Sequence, residues 1–121
     1  MRIARASAPW RWGEGWLAQT VIAEPYCGKR LRFSGAVRAN VCEAGAGAQL
    51  YIETRPKPPA GSIWTLPADN LAVIDRPVLS THWRTYAVEV DVPSNAHSIV
   101  IGCALAGNGT AWFGDLALDV C

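Results

Sequence analysis

The chain carries almost no excess charge, and charged residues of either sign are few. Its formal net charge is +1, and Asp, Glu, Lys and Arg together make up only 17% of its residues. A nucleic-acid-binding domain usually concentrates positive charge on one face, so the composition gives no support for a nucleic-acid partner. Hydrophobic residues make up 50% of the chain, which excludes a disordered protein because such chains combine low hydrophobicity with high net charge.

Long apolar runs are also missing. No stretch approaches the roughly 18–20 apolar residues that a membrane-spanning helix requires. The N-terminal residues 1–5 are basic, but Trp10-Arg11-Trp12 interrupts the apolar segment that a secretory signal would need. We therefore expect a cytoplasmic protein without a membrane partner.

The cysteines show no spacing typical of a metal site. The chain contains four of them, Cys27, Cys42, Cys103 and Cys121. None belongs to a C-x-x-C pair, and neither His82 nor His97 stands at a zinc-ligand spacing from a cysteine. Free thiols are the expectation in a reducing compartment, with Cys103 a small core residue, although a Cys27–Cys42 disulfide remains open.

Apolar and polar residues alternate at every second position in segment after segment from about residue 30 onward. Successive side chains of a strand point to opposite faces, so strict alternation predicts strands with one buried face. The clearest case is residues 30–39, whose predicted buried face is Leu31, Phe33, Gly35, Val37 and Ala39. Further strands are predicted over residues 16–23, 47–54, 83–92, 98–105 and 111–120. Seven to nine strands without a helix predict one all-β domain over residues 1–121, with 1–13 an edge strand or a tail.

Turn residues separate these segments. Gly107-Asn108-Gly109 contains an Asn-Gly pair, which favours a type I′ hairpin between the last two strands. The longest irregular segment, residues 55–69, contains four prolines and cannot be an interior strand. Loops of this length in compact domains are often functional, and this one carries Trp64.

Five stretches of the sequence follow one another like the motifs of a known fold. Residues 23–35 read AEPYCGKRLRFSG, and residues 107–116 read GNGTAWFGDL. Residues 74–78, 82–86 and 91–93 lie between them. The first and last stretches resemble the opening Y-x-G-K-R-V-R-F-S and the closing G-x-G-x-x-W-x-D-D-V of a bacterial family of galactose-binding-like modules. This resemblance implies an antiparallel jelly-roll β-sandwich related to carbohydrate-binding modules, which are often attached to bacterial regulators or enzymes.

The chain departs from that family pattern at Gly114, where the closing motif has its first acidic residue. The resemblance therefore gives little support to the calcium site that some related modules build near this strand. Asp115 and Asp119 share a face of the predicted last strand but lie four residues apart, whereas calcium needs several converging oxygen ligands. We predict no cofactor and leave only a structural calcium ion open.

Aromatic residues are the main candidates for ligand binding. Saccharide rings stack their C–H faces on aromatic planes, while polar side chains hold their hydroxyl groups. Trp64 in the proline-rich loop and Tyr51 are predicted to stack against a ligand. Trp83 and Trp112 stand at strand positions of the family's motifs and are predicted to lie in the core.

Outward-facing polar residues complete the predicted site. Arg32, Glu53 and Asp75 are predicted to hydrogen-bond the ligand. Residues 30–39 and 47–54 would have to lie in the same sheet to form one groove, and Gly102 and Ala104 would leave room for it. The alternatives are a solvated outer face with Arg–Glu pairs and, for Asp75, an Asp–Arg pair that fixes a strand end.

The sequence favours a module that binds a saccharide or another polar ring compound without transforming it. Two other functions stay open. One is an effector-sensing or protein-interaction module of a bacterial regulator, which leaves a homodimer open, and the other is a small enzyme acting on a cyclic substrate. No recognisable nucleophile signature or placed carboxylate pair marks a catalytic centre, so we predict no catalytic and no metal-binding residue. A deep, closed pocket at His82 or Asp75 would favour the enzyme.

Overall fold

The computed structural model describes residues 2–5, 15–41, 46–58, 68–107 and 109–121. The strands are β1 Arg2–Arg5, β2 Gly15–Ile22, β3 Arg30–Val41, β4 Gly47–Arg55, β5 Asn70–Val73, β6 Arg84–Asp91, β7 Ser98–Ala106 and β8 Gly109–Val120. A short 3-10 turn, Glu24–Tyr26, connects β2 to β3. In these parts of the chain no helix is long and apolar enough to cross a membrane.

The strands form two four-stranded antiparallel sheets. One has the order β1-β8-β3-β6 and the other β2-β7-β4-β5, and we call them the 1-8-3-6 sheet and the 2-7-4-5 sheet. Strands pair 1 with 8, 2 with 7, 3 with 6 and 4 with 5, as if one long hairpin had been rolled into a sandwich. This order is that of a jelly roll, so the predicted fold class is confirmed.

Alternation along the central strands produces the core between the two sheets. β3 buries Leu31, Phe33, Gly35, Val37 and Ala39, and β4 buries Ala48, Leu50 and Ile52. β6 and β7 add Val88, Val90, Ile99, Cys103 and Leu105. These are the faces predicted from the alternation, and each fully buried aliphatic side chain contributes about 1.5–3 kcal/mol.

The last strand departs from simple alternation at a β-bulge. The register between β3 and β8 shifts so that Asp115 and Leu116 lie opposite the single residue Gly35. Asp115 takes a left-handed backbone conformation with φ of 51°, and a Cβ on Gly35 would stand 2.5 Å from Leu116 Cδ2. The extra residue exchanges the two faces of the strand. Phe113 is buried before the bulge, and Leu118 packs against the core after it.

The bulge explains why the prediction of a core position for Trp112 is wrong. Trp112 precedes the bulge and pairs in register with Arg38 on the outer face of the sheet. Its neighbour Phe113 takes the buried position instead. Trp83 also lies outside the core, with 51% of its surface exposed, because it stands in the connection before β6 rather than within the strand.

The connection from β7 to β8 is not the predicted hairpin. β7 belongs to the 2-7-4-5 sheet and β8 to the 1-8-3-6 sheet, so the chain crosses between sheets from Ala106 to Gly109. Asn108 lies outside the described residues. The Asn-Gly signal fails because β7 and β8 each find their partners in distant strands, which a local turn preference cannot override.

Candidate functional site

The five residues predicted to bind a ligand do not come together. Arg32 lies on the outer face of β3 in the 1-8-3-6 sheet, whereas Tyr51 and Glu53 lie on the outer face of β4 in the 2-7-4-5 sheet. Asp75 is exposed in the bend after β5, and Trp64 lies outside the described residues. The groove predicted between β3 and β4 requires both strands in one sheet, so it is not formed.

Tyr51 fills the room that the small residues of β7 were expected to leave open. A Cβ on Gly102 would stand 2.3 Å from Tyr51 Cζ, so the tyrosine ring lies against the Gly102 backbone. Gly102 and Ala104 are accordingly buried although they face outward. Beside them, Arg55 Nε donates a hydrogen bond to Glu53 Oε1 at 2.8 Å. This surface therefore carries a packed ring and an internal ion pair in place of an open groove.

Asp75 borders a broad groove along the edge formed by β5 and β6. The groove encloses about 770 Å³, and Arg30, Arg76, Tyr86 and Glu89 also line it. Asp75 and Arg76 are both exposed, and the ion pairs in the described residues do not join them. The Asp–Arg pair expected at this strand end is therefore absent from the described part of the chain.

The outer face of the 1-8-3-6 sheet carries a stack of two tryptophans and an arginine. The Arg38 guanidinium carbon lies 4.1 Å from the centroid of the Trp112 ring and 5.3 Å from that of Trp83. Both distances lie within the range of about 6 Å over which a cation is attracted to a ring face. Two neighbouring strands and one connection thus bring three residues together that are far apart in the sequence.

Small residues next to this stack leave the sheet uncovered. Gly114 lies beside Trp83, and a Cβ there would stand 3.8 Å from the ring atom Cη2. The neighbouring outward positions of the sheet carry Ser34, Ala36, Ala87 and Ala117. Because these side chains are so short, they leave the backbone of the sheet uncovered beside the Trp83 ring. We call this outer surface, from Trp83, Arg38 and Trp112 to Arg32, the tryptophan face.

Charged residues occupy the far end of the tryptophan face. Arg32 stands in register between Glu89 on β6 and Asp119 on β8, beside a cavity of about 490 Å³. Arg30 donates through Nε to Glu89 Oε1 at 3.1 Å and through Nη1 to Asp91 Oδ1 at 2.9 Å. One end of the face is therefore aromatic, and the other end is polar, with Arg30 and Arg32 set among Glu89, Asp91 and Asp119.

Glu89 has the clearest electrostatic perturbation in this network. Cys121 Sγ donates a hydrogen bond to Glu89 Oε1 at 3.2 Å. This bond and the hydrogen bond from Arg30 lower the pKa of the Glu89 carboxyl below its ordinary value of 4.5. The hydrogen bond to Glu89 also raises the pKa of the Cys121 thiol.

Replacing Cys121 by alanine is expected to raise the pKa of Glu89 toward its ordinary value, because the first of the two donors is lost. In the wild type the ionised Glu89 stabilises the folded state above its unfolded-state pKa, and this contribution disappears as pH falls through the lower folded-state pKa. A carboxyl ¹³C NMR titration measures the shift. Cys27→Ala is the control, since Cys27 Sγ donates to the carbonyl oxygens of Ala23 and Ala96 rather than to Glu89. An unchanged Glu89 pKa in the Cys121 variant would contradict this account.

Another cavity opens between the two sheets beside the bulge. It encloses about 340 Å³ and is lined mainly by apolar residues, among them Leu17, Phe33, Ile101, Leu116 and Leu118. Cys103 also borders it, is 2% exposed, and burial raises the pKa of its thiol to about 11. Cys103 is therefore the core cysteine that its strand position predicts, and its protonated thiol is inert. Cys27 is likewise a free thiol, and Cys42 lies outside the described residues.

The bulge also separates the two acidic residues of β8. Asp115 stands at the bulge itself, and Asp119 lies opposite Arg32 near the end of the strand. In the part of the chain that the structure describes, no three His, Cys, Asp or Glu side chains are grouped so that they could hold a metal ion.

Sequence reasoning missed Arg38 and misplaced both tryptophans. A usable signal was the adjacent pair Trp112-Phe113, because only one of two neighbouring strand residues can face the core. The following Gly114-Asp115 suits a bulge. For Trp83 there was no comparable signal, since the connection before β6 has no periodicity.

Comparison with known proteins gives two similarities, while no protein-family model matches the chain. A Bacillus subtilis (strain 168) protein, the uncharacterized HTH-type transcriptional regulator YbfP, is 29% identical over 104 residues. That match covers 85% of this chain but only 32% of the regulator. A solved structure described as "CBM4 structure and function" superposes with a TM-score of 0.58 at 17% identity, covering 88% of this chain and 61% of that one. The chain is thus similar in fold to a carbohydrate-binding module and spans about a third of the regulator whose sequence it matches.

Proposed function

We propose that this domain is a non-catalytic module that binds a small ligand, a saccharide or another polar ring compound, on the tryptophan face. The observation that carries the proposal is Trp83, which is half exposed next to Gly114 on the surface of the sheet. Folded domains bury most of the surface of so large an aromatic side chain. An exposed tryptophan beside an uncovered stretch of sheet backbone therefore supports a role for Trp83 in stacking against a ligand.

The chemistry of the tryptophan face suits a ring with polar substituents. The C–H faces of a sugar ring stack on an aromatic plane, and its hydroxyl groups need hydrogen-bond partners at the rim. Trp83 supplies the plane, while Arg32, Glu89 and Asp119 supply donors and acceptors at the far end. Arg38 and Arg32 lie six residues apart on β3, about 20 Å along an extended strand. Only an oligosaccharide of several rings would reach both ends.

Only Arg32 of the predicted site residues contributes to this proposal. Tyr51 and Glu53 lie on the opposite surface of the sandwich, and Asp75 borders the separate groove along β5 and β6. Trp64 stays a prediction, because it lies outside the described residues. The proposed site is therefore centred on residues that the structure brings together rather than on the predicted set.

Replacing Trp83 by alanine is expected to weaken saccharide binding at least about tenfold, because the stacking plane and its buried area are lost. A glycan array first identifies a sugar that the wild-type domain binds, and isothermal titration calorimetry then measures its affinity for each variant. Tyr51→Ala is the matched control, since it removes an aromatic ring from the opposite surface and should leave the affinity unchanged.

Two results would overturn this proposal. One is a glycan array and a wider small-molecule screen without any ligand for the wild-type domain. The other is a ligand whose affinity falls in Tyr51→Ala and stays unchanged in Trp83→Ala, which would move the site to the 2-7-4-5 sheet.

A second candidate is an effector-sensing module of a bacterial transcriptional regulator. The observation that favours it is the match of 85% of this chain to part of such a regulator. In this version the same face binds the effector, and binding changes how the domain associates with itself or with a partner domain. Light scattering after size-exclusion chromatography separates the two candidates. A homodimer that forms or dissociates on ligand addition supports the sensor, and an unchanged monomer supports the simple binding module.

A further inference from the structure

Arg38 carries a positive charge that the described residues leave without a counter-charge. The ion pairs among them involve Arg30 and Arg55, not Arg38. Its Nε atom is buried and has no hydrogen-bond acceptor, and its guanidinium contacts are the two tryptophan rings. A buried N–H without an acceptor is destabilising, so the position of Arg38 calls for a physical explanation, and a ligand that supplies the acceptor is one.

The two other outward-facing arginines of β3, Arg30 and Arg32, differ from Arg38 because both lie beside acidic residues. Arg30 is bound to Glu89 and Asp91, and Arg32 stands in register between Glu89 and Asp119. Each of these two arginines therefore has acidic neighbours within the protein. At the aromatic end, the nearest acidic residue along β8 is Asp115, which is exposed and forms no ion pair with Arg38 in the described structure.

We propose that the ligand of the tryptophan face is acidic, and that Arg38 binds the carboxylate of a ring compound such as a uronic acid. This inference rests on the proposed function and specifies its ligand class. The Arg38 guanidinium lies over the faces of two rings, and its buried Nε–H is left without an acceptor. Nε and the adjacent Nη form the fork of parallel donors that matches the two oxygens of a carboxylate.

Trp83 controls access to this fork. Its ring covers one side of Arg38, yet it is half exposed and stands in the connection before β6. Exposed side chains change rotamer within nanoseconds. A rotation of Trp83 uncovers Nε, and the ring then stacks on the sugar while Arg38 holds its carboxylate. Stacking and charge recognition are therefore parts of one site.

The test compares acids with their neutral parents, using galacturonate against galactose and glucuronate against glucose. Affinities come from ¹⁵N NMR titrations, which also report the Arg38 Nε–Hε resonance directly. The acids are expected to bind at least about tenfold more tightly than the neutral sugars, because a charge-assisted pair is stronger than a neutral hydrogen bond. The Arg38 resonance is expected to move only with the acids.

Arg38→Lys keeps the charge but removes the fork, and is expected to reduce the preference for acids to less than about threefold. Arg84→Gln is the control, because Arg84 is an exposed cation at the start of β6, near Trp83 in the sequence. It should leave the preference unchanged. Circular dichroism shows whether each variant remains folded.

The possible failures differ from one another. If neutral sugars bind as well as the acids, or if Arg38→Lys keeps the preference, the inference is overturned while the proposed function stands. If galactose 1-phosphate binds more tightly than galacturonate, the assignment to a carboxylate is overturned in favour of a phosphate. If neither acids nor neutral sugars bind and no Trp83 resonance moves, the inference is overturned, and the glycan array with the wider screen then decides whether the proposed function stands.

Discussion

Replacing Phe113 by alanine is expected to lower the free energy of unfolding by about 3–5 kcal/mol. Phe113 is 1% exposed and stands opposite Val37 between β1 and β3, in the middle of the 1-8-3-6 sheet. Removing its ring leaves a cavity that neighbouring strands cannot close, because they are fixed by hydrogen bonds on both sides of β8. Urea unfolding followed by circular dichroism measures the loss.

Trp112→Ala gives this experiment its sharpest comparison. Trp112 is the neighbouring residue, but it faces outward onto Arg38, so its removal is expected to cost clearly less than removal of Phe113. Ile22→Ala, at a site that is 73% exposed, should change stability by no more than about 0.5 kcal/mol. If Trp112→Ala is the more costly variant, then the register before the bulge is wrong.

Replacing Gly109 by alanine is expected to destabilise the domain by about 3 kcal/mol or more, because strain and a backbone clash add. Gly109 has φ of 148°, and a Cβ there would stand 2.3 Å from Asn40 O and 2.9 Å from Val41 Cα. Both contacts are backbone atoms at the end of β3, so the pairing of β3 with β8 has to shift. Thermal and urea unfolding both report the change.

Gly28→Ala isolates the strain from the clash. Gly28 also has a positive φ, 76°, but no atom lies within 4 Å of a Cβ at that position. Its replacement is expected to cost only about 1–2 kcal/mol, the price of a left-handed backbone for a residue with a side chain. If the two variants lose the same free energy of unfolding, the close approach of Gly109 to β3 adds nothing to the cost of the backbone strain.

Period-two alternation predicted the central strands well, because burial between two sheets acts on each residue locally. The buried faces of β3, β4 and β7 follow directly from positions such as Phe33, Leu50 and Ile99. β8 is different, since one extra residue at Asp115 exchanges its faces. The sequence does not show where such a change of phase occurs. An uninterrupted alternation counted back from Leu118 places Trp112 on the buried face, which is why Trp112 was assigned to the core.

Which residues group together in the candidate site could not be predicted from the individual strands, for a different reason. Whether Arg32 and Tyr51 share a surface depends on which sheet each strand joins, and sheet membership is decided by partners far away in the chain. The Arg38 stack likewise needs β8 beside β3 and the start of β6 near both. The residue types of a ligand surface were recognisable in the sequence, but their grouping was not.

The position of β8 has a consequence for how the domain folds. β8 is an interior strand of its sheet, flanked by β1 and β3, and β1 lies more than a hundred residues before it in the sequence. Pairings between strands so far apart are slow to form, since a long loop must close before they gain any energy. We therefore expect the 1-8-3-6 sheet to be completed late in folding, when β8 enters between β1 and β3.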